Sequence, residues 1–241
     1  MGAAMARGGN ALNSRALVVG LIAAISASAF AGRPTFYRPY KESANNFLYN
    51  LLFCDDLSLF RSKGSAPATG PIAVLLSPHP PAQEIERIAS DETEESRIRI
   101  LAFNYLRSKN VKVPGGQLLG VVVEVPLGGS LDALAVFADG RIRYLNHSGK
   151  VAAFEATPAT MEHDRQRLMQ ASANAVARIG PWDKPRLPPP AEGKVRLTFL
   201  VSDGLYFGEG PSSAIARDAI GGPVLQSATQ LLLKIVAATT N

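Results

Sequence analysis

Asp203, Tyr206 and Glu209 are the residues whose types and spacing could do chemistry. They follow the run Lys194-Val-Arg-Leu-Thr-Phe-Leu-Val201 in one glycine-punctuated stretch that ends at Pro211. Two carboxylates near a strand end can serve as acid and base, or bind a cation. Trp182, in Pro181-Trp-Asp-Lys-Pro185, could join them as part of a ligand-binding face. The same residue types also build tight turns. In that reading Asp203 bonds backbone amides, Gly204 and Gly208 take unusual dihedrals, and the aromatics fill the core. The spacing does not set the distance between the two acids, and the calcium-loop pattern of an EF-hand is absent.

Other reactive residue types lack a supporting frame. Cys54 is the only cysteine, so there is no intrachain disulfide and no cysteine-based zinc site. Its neighbours Asp55 and Asp56 disfavour a thiolate, so Cys54 reads as a small buried hydrophobe and the two acids as the close of a helix. His79 stands among prolines, and His147 falls in a hairpin turn. His163 has no second histidine four residues away, so the HExxH zinc pattern is missing. The GxSxG elbow and the GxxxxGK[ST] phosphate loop are also missing, and Gly208-Glu-Gly210 is too short for a dinucleotide fingerprint. No cofactor or metal is indicated.

The elements that must position these residues follow from hydrophobic period and turn chemistry. Ser43 can cap a helix through Leu52, with Phe47, Leu48, Leu51 and Leu52 on one face. Ile72–Leu76 reads as a short buried strand, Ala82–Ala89 as a helix, and Ser90 or Asp91 as the start of a longer one. Strands are expected at Leu118–Val125, Leu131–Ala138, Arg141–Asn146 and Lys150–Phe154. A break falls at Pro126–Ser130, and Asp139-Gly140 is expected to form a type I′ turn. Connections this short make an antiparallel meander and exclude a βαβ crossover. Thr157-Pro158 opens a helix that ends at Gly180-Pro181. Residues 181–193 are proline-rich. The strand 194–201 alternates, so one face is expected to be buried, and Pro223 begins the last helix. The pattern is α+β: a largely antiparallel sheet with helices packed on it.

Arg7 and Arg15 precede an apolar run from Ala16 that closes on Ala29-Phe-Ala31, the three parts of an export signal cleaved after Ala31. The alternative is a single membrane anchor over residues 16–32. Residues 32–42 read as a linker and 43–241 as one domain. The formal charge is +5, and +3 remains once the two leader arginines are set aside. That excess is small and dispersed, which argues against nucleic acid as a partner.

Three segments carry a likeness: Tyr49-Asn-Leu-Leu-Phe-Cys-Asp55, Ile179-Gly-Pro-Trp-Asp-Lys-Pro185 and Val201-Ser-Asp-Gly-Leu-Tyr-Phe-Gly-Glu-Gly210. With Tyr144-Leu-Asn-His-Ser-Gly-Lys150, the chain resembles an uncharacterised family of bacterial proteins across residues 43–237. The resemblance implies no activity and assigns no catalytic residue. The expectation is therefore a non-enzymatic domain, exported to the periplasm or beyond or tethered by its leader, that binds a protein or small ligand through Trp182, Asp203, Tyr206 and Glu209. The alternative is a hydrolase using Asp203 and Glu209, with His147 or a metal.

Overall fold

The computed structural model describes residues 36–61 and 68–239, so the leader lies outside the described residues. Strands β1 (Leu118–Leu127), β2 (Ser130–Phe137), β3 (Ile142–Leu145), β4 (Val151–Phe154), β5 (Lys194–Val201) and β6 (Gly204–Pro211) form one sheet in the order β4-β3-β2-β1-β5-β6. Every pairing is antiparallel, and the architecture is the expected α+β class.

Helices cover both faces of the sheet. One face packs against α1 (Ser43–Leu51), the 3₁₀ turn Leu57–Phe60, α2 (Gly70–Leu75), α3 (Ala82–Ser90) and α4 (Ser96–Ser108). The other packs against α5 (Ala159–Val176) and α7 (Gly221–Thr239), with the short α6 (Ser212–Arg217) between β6 and α7. Covering both faces explains why β1 reads as a nearly continuous apolar run. It also corrects the expectation for β5. Arg196 and Thr198 face the α1 side and are as buried as Val195 and Leu197 on the other face.

Several elements differ from the sequence expectation. Ile72–Leu76 belongs to a helix, because Gly70 turns the chain with φ +66° and Pro71 suits a first helical turn. A five-residue apolar run does not distinguish the two states. Strand β6 was expected as a turn and site; its glycines weaken the strand signal, yet it pairs with β5 along its whole length. Gly204 and Gly208 do not have positive φ. Gly204 is small because a Cβ there would sit 3.2 Å from Pro181. Strand β1 runs through Pro126, which lies past the end of its pairing with β5 and so interrupts no ladder there.

The Asp139-Gly140 hairpin is a three-residue loop, not a type I′ turn. Phe137 N–H donates to Arg141 O and Gly140 N–H to Phe137 O, and only Gly140 has positive φ. The loop after β3 repeats this geometry: Asn146 N–H donates to Lys150 O, Gly149 N–H to Asn146 O, and Gly149 has φ +88°. Expected caps also moved. Ser43 makes no capping bond, and Thr157 donates its hydroxyl to Gly140 O at 2.6 Å. Helix α4 starts at Ser96, where the Asp139 carboxylate accepts Ser96 N–H and Ser96 Oγ accepts Asp139 N–H.

Candidate functional site

The residues singled out at 203–209 do not form one site. Asp203 Oδ1 accepts Gly116 N–H at 3.2 Å, and Oδ2 accepts the Tyr206 hydroxyl at 3.0 Å. Ser202 Oγ donates to Pro114 O and accepts Gln117 N–H. The β5–β6 turn therefore clasps the segment leading into β1, and its polar groups are used in doing so. Glu209 lies six residues along the strand, ~20 Å away at strand rise. It accepts hydrogen bonds from Lys194 Nζ at 3.1 Å and Arg196 Nε at 3.0 Å. Burial alone would raise the Glu209 carboxyl, but these two cations hold it below its ordinary value. Trp182 is half-buried: its N–H pairs with Leu205 O, its indole N–H with Pro185 O, and its ring meets Phe207 edge-on.

Sequence reasoning missed a buried polar network between α1, β1 and the proline-rich segment. Glu124 in β1 is 0% exposed and faces Arg196 across the β1–β5 ladder. Its Oε1 accepts the Tyr49 hydroxyl at 2.7 Å, while Oε2 is 4.0 Å from Arg196 Nη1. Burial pushes the Glu124 carboxyl up, against the Tyr49 hydrogen bond and the arginines. Arg186 donates to Asp55 Oδ2 at 2.7 Å and Asn50 Oδ1 at 2.9 Å, with its guanidinium 3.9 Å from the Phe53 ring centre. Arg196 donates to the carbonyls of Leu187 and Pro188. The one signal in the sequence is Glu124 itself, a charge inside an apolar run.

The same helix shapes the molecule's clefts. Asn46 and Asn50 are one turn apart on α1. Asn46 bonds both the N–H and the C=O of Tyr40, and Asn50 does the same for Tyr37. Residues 36–42, expected to be a linker, are thereby laid along α1 as a strap. The strap helps wall two clefts, and Arg38 lines both.

The larger cleft holds about 730 Å³ and is lined by Phe36, Phe47, Leu59 and Phe60, with Arg38 and Arg61. Phe36 is 39% exposed and Phe47 41% exposed, so this aromatic surface faces solvent. No acidic side chain lines it among the described residues. The smaller cleft holds about 400 Å³ and is bounded by Arg38, Lys41, Glu42, Ser130 and His147. Asp132, which does not line the cleft itself, accepts the backbone N–H of His147 at 2.6 Å, and lies 2.8 Å from His147 Nδ1 and 2.8 Å from the Tyr144 hydroxyl.

Cys54 is buried and its thiol is pushed up by that burial, so it offers no accessible nucleophile. Among the described residues no group of three or more His, Cys, Asp or Glu is placed to hold a metal. No helix among them is long and apolar enough to cross a membrane. The fold defines an α+β domain with an antiparallel six-stranded sheet covered on both faces. Neither a protein-family model nor a curated protein matches the chain.

Proposed function

We propose that this domain binds a small amphipathic anion in the cleft between the strap, α1 and the 3₁₀ turn. The observation that carries the reading is the lining of that cleft: solvent-facing phenylalanines beside two arginines, with no acid among the described lining residues. Its volume lies within the usual range for small-molecule sites, which are mostly apolar with a few polar groups that set orientation. The phenyl rings would take the apolar tail, and Arg38 and Arg61 the acidic head. This moves the binding role away from Trp182, Asp203, Tyr206 and Glu209, whose polar groups are committed to holding turns and strands together.

Isothermal titration calorimetry tests the reading with two ligands of equal chain length and opposite charge. Dodecanoate is expected to bind and dodecyltrimethylammonium to bind at least about tenfold more weakly, since a charge-assisted hydrogen bond contributes ~1.5–3 kcal/mol. Phe47→Ala and Arg61→Ala should each weaken dodecanoate by about tenfold. Equal binding of the two amphiphiles, or no effect of either variant, would remove the cleft from consideration.

We also propose that the domain works outside the cytoplasm, delivered or tethered by residues 1–32. The support is the basic start, apolar run and Ala29-Phe-Ala31 of the leader. N-terminal sequencing of protein from the exported fraction should begin at Gly32. An intact Met1 in the membrane fraction would identify an anchor, and an intact Met1 in the cytoplasm would overturn export.

A further inference from the structure

We infer that His147 is a general base for the hydrolysis of a small anionic ester in the second cleft. This does not rest on the amphipathic-anion reading, which uses the other cleft and has only Arg38 in common with this one. Asp132 and His147 form an oriented pair. A carboxylate only accepts hydrogen bonds, so the 2.8 Å contact places a proton on Nδ1, and in the neutral ring Nε2 is the nitrogen that carries the lone pair. Nε2 has no protein hydrogen-bond partner among the described residues, and the ring is 37% exposed where it lines the cleft.

The pair is held more firmly than a turn alone requires. Asp132 Oδ1 takes both the backbone N–H and the ring of His147, while Oδ2 takes the Tyr144 hydroxyl. Burial, with the hydrogen bond to Asp132, pushes the Tyr144 hydroxyl up to about 12, so it remains a donor. The loop itself is fixed by Gly149, whose φ is +88°, and by Asn45 Nδ2, which donates to Gly149 O at 3.1 Å. Both supports keep the imidazole in one orientation, which general-base catalysis needs.

Arg38 and Lys41 line the same cleft against one acid, Glu42. Their charge favours an anionic substrate and stabilises an oxyanion as it forms. Ser130 is nearby, but its hydroxyl donates to Pro39 O at 3.1 Å and makes no hydrogen bond with His147. Water is therefore the nucleophile. His147 Nε2 takes a proton from water as the water oxygen bonds to the acyl carbon. The acyl–oxygen ester bond then breaks, and the imidazolium returns its proton to the leaving oxygen. The products are a carboxylic acid and an alcohol, and no oxidant or cofactor is consumed.

The test measures release of 4-nitrophenol from mono-4-nitrophenyl succinate and, as a neutral control, 4-nitrophenyl acetate. The full domain should hydrolyse the succinate ester preferentially. His147→Asn should lower the rate ~100-fold or more. His147→Gly should be restored in part by added imidazole, beyond the hydrolysis that the same imidazole gives with no protein present, a readout that loss of structure cannot produce. Asp132→Asn, a positioning change, should lower kcat by about tenfold or more with KM unchanged. Lys41→Ala should raise KM for the succinate ester alone. Equal rates for wild type and His147→Asn would overturn the proposal, as would the absence of imidazole rescue in a folded His147→Gly variant. A burst of nitrophenol with an acyl adduct on Ser130 would overturn the water step.

Discussion

Glu124 carries a carboxyl at a place that water does not reach, in a row with Arg196 and Glu209 across three strands. Removing two charges from water costs several kcal/mol for each, and attraction at 4.0 Å to Arg196 offsets only part of that cost. Folding therefore disfavours the charged form relative to water, and the carboxyl is raised above its ordinary 4.5. The sign follows from linkage. The stability attached to Glu124 is complete below the unfolded value and is lost as pH rises through the folded value. Glu209 has the opposite sign, because its lowered carboxyl contributes stability above the unfolded value that is lost as pH falls. Glu124→Gln keeps an acceptor for the Tyr49 hydroxyl, while Arg196 keeps Glu209 and Arg186 keeps Asp55. The variant should gain thermal stability over wild type at pH 8 and lose that advantage at pH 4, by roughly 2–4 °C for each kcal/mol. Parallel melting curves across that window would show that Glu124 does not titrate there.

Elements were legible in the sequence where one local rule decided them. The meander at 118–155 follows from apolar runs and three glycine-closed loops: Gly128 and Gly129 both take positive φ between β1 and β2, and the other two loops have the geometry that one positive-φ glycine permits. The helices over 82–90 and 159–176 follow from period and proline placement. Elements decided by distant partners were not legible. Strand β6 is strand because β5 supplies its ladder, and Ser96 starts α4 because Asp139 reaches it from a hairpin 43 residues away. The strap at 36–42 looked like a linker because two helical asparagines, not its own residues, hold it in place. The candidate site was hidden for the same reason. His147 was visible as a turn histidine, but its partner Asp132 belongs to the neighbouring strand. The aromatic cleft joins residues 36–38 to 58–61 across a helix. In contrast, the acids conspicuous in the sequence, Asp203 and Glu209, were conspicuous because turn and ladder chemistry uses the same residue types.

At the scale of the whole molecule, the sheet is the layer that both cores share among the described residues. Val122 and Glu124 of β1 face the α1 side, whereas Val121 and Val123 face α5 and α7. Unfolding the helices of either face would expose the apolar surface of β1, β2 and β5 on that side. The ladder would also lose the packing that keeps it in register. The chain should therefore unfold as one cooperative unit from 43 to 239. Truncating one core should destabilise the whole molecule by the same route as truncating the other. Leu168 on α5 and Ile85 on α3 are both fully buried, one in each core. Leu168→Ala and Ile85→Ala should each lower unfolding free energy by ~2–5 kcal/mol. Trp182 is the only tryptophan and packs on β6, so its fluorescence follows the sheet edge while far-UV circular dichroism follows the helices on both faces. In urea the two signals should change together in wild type and in both variants, with shifted midpoints and an unchanged slope. A variant in which the two transitions separate would show two folding units joined by a sheet, and would confine the strap, its clefts and His147 to one of them.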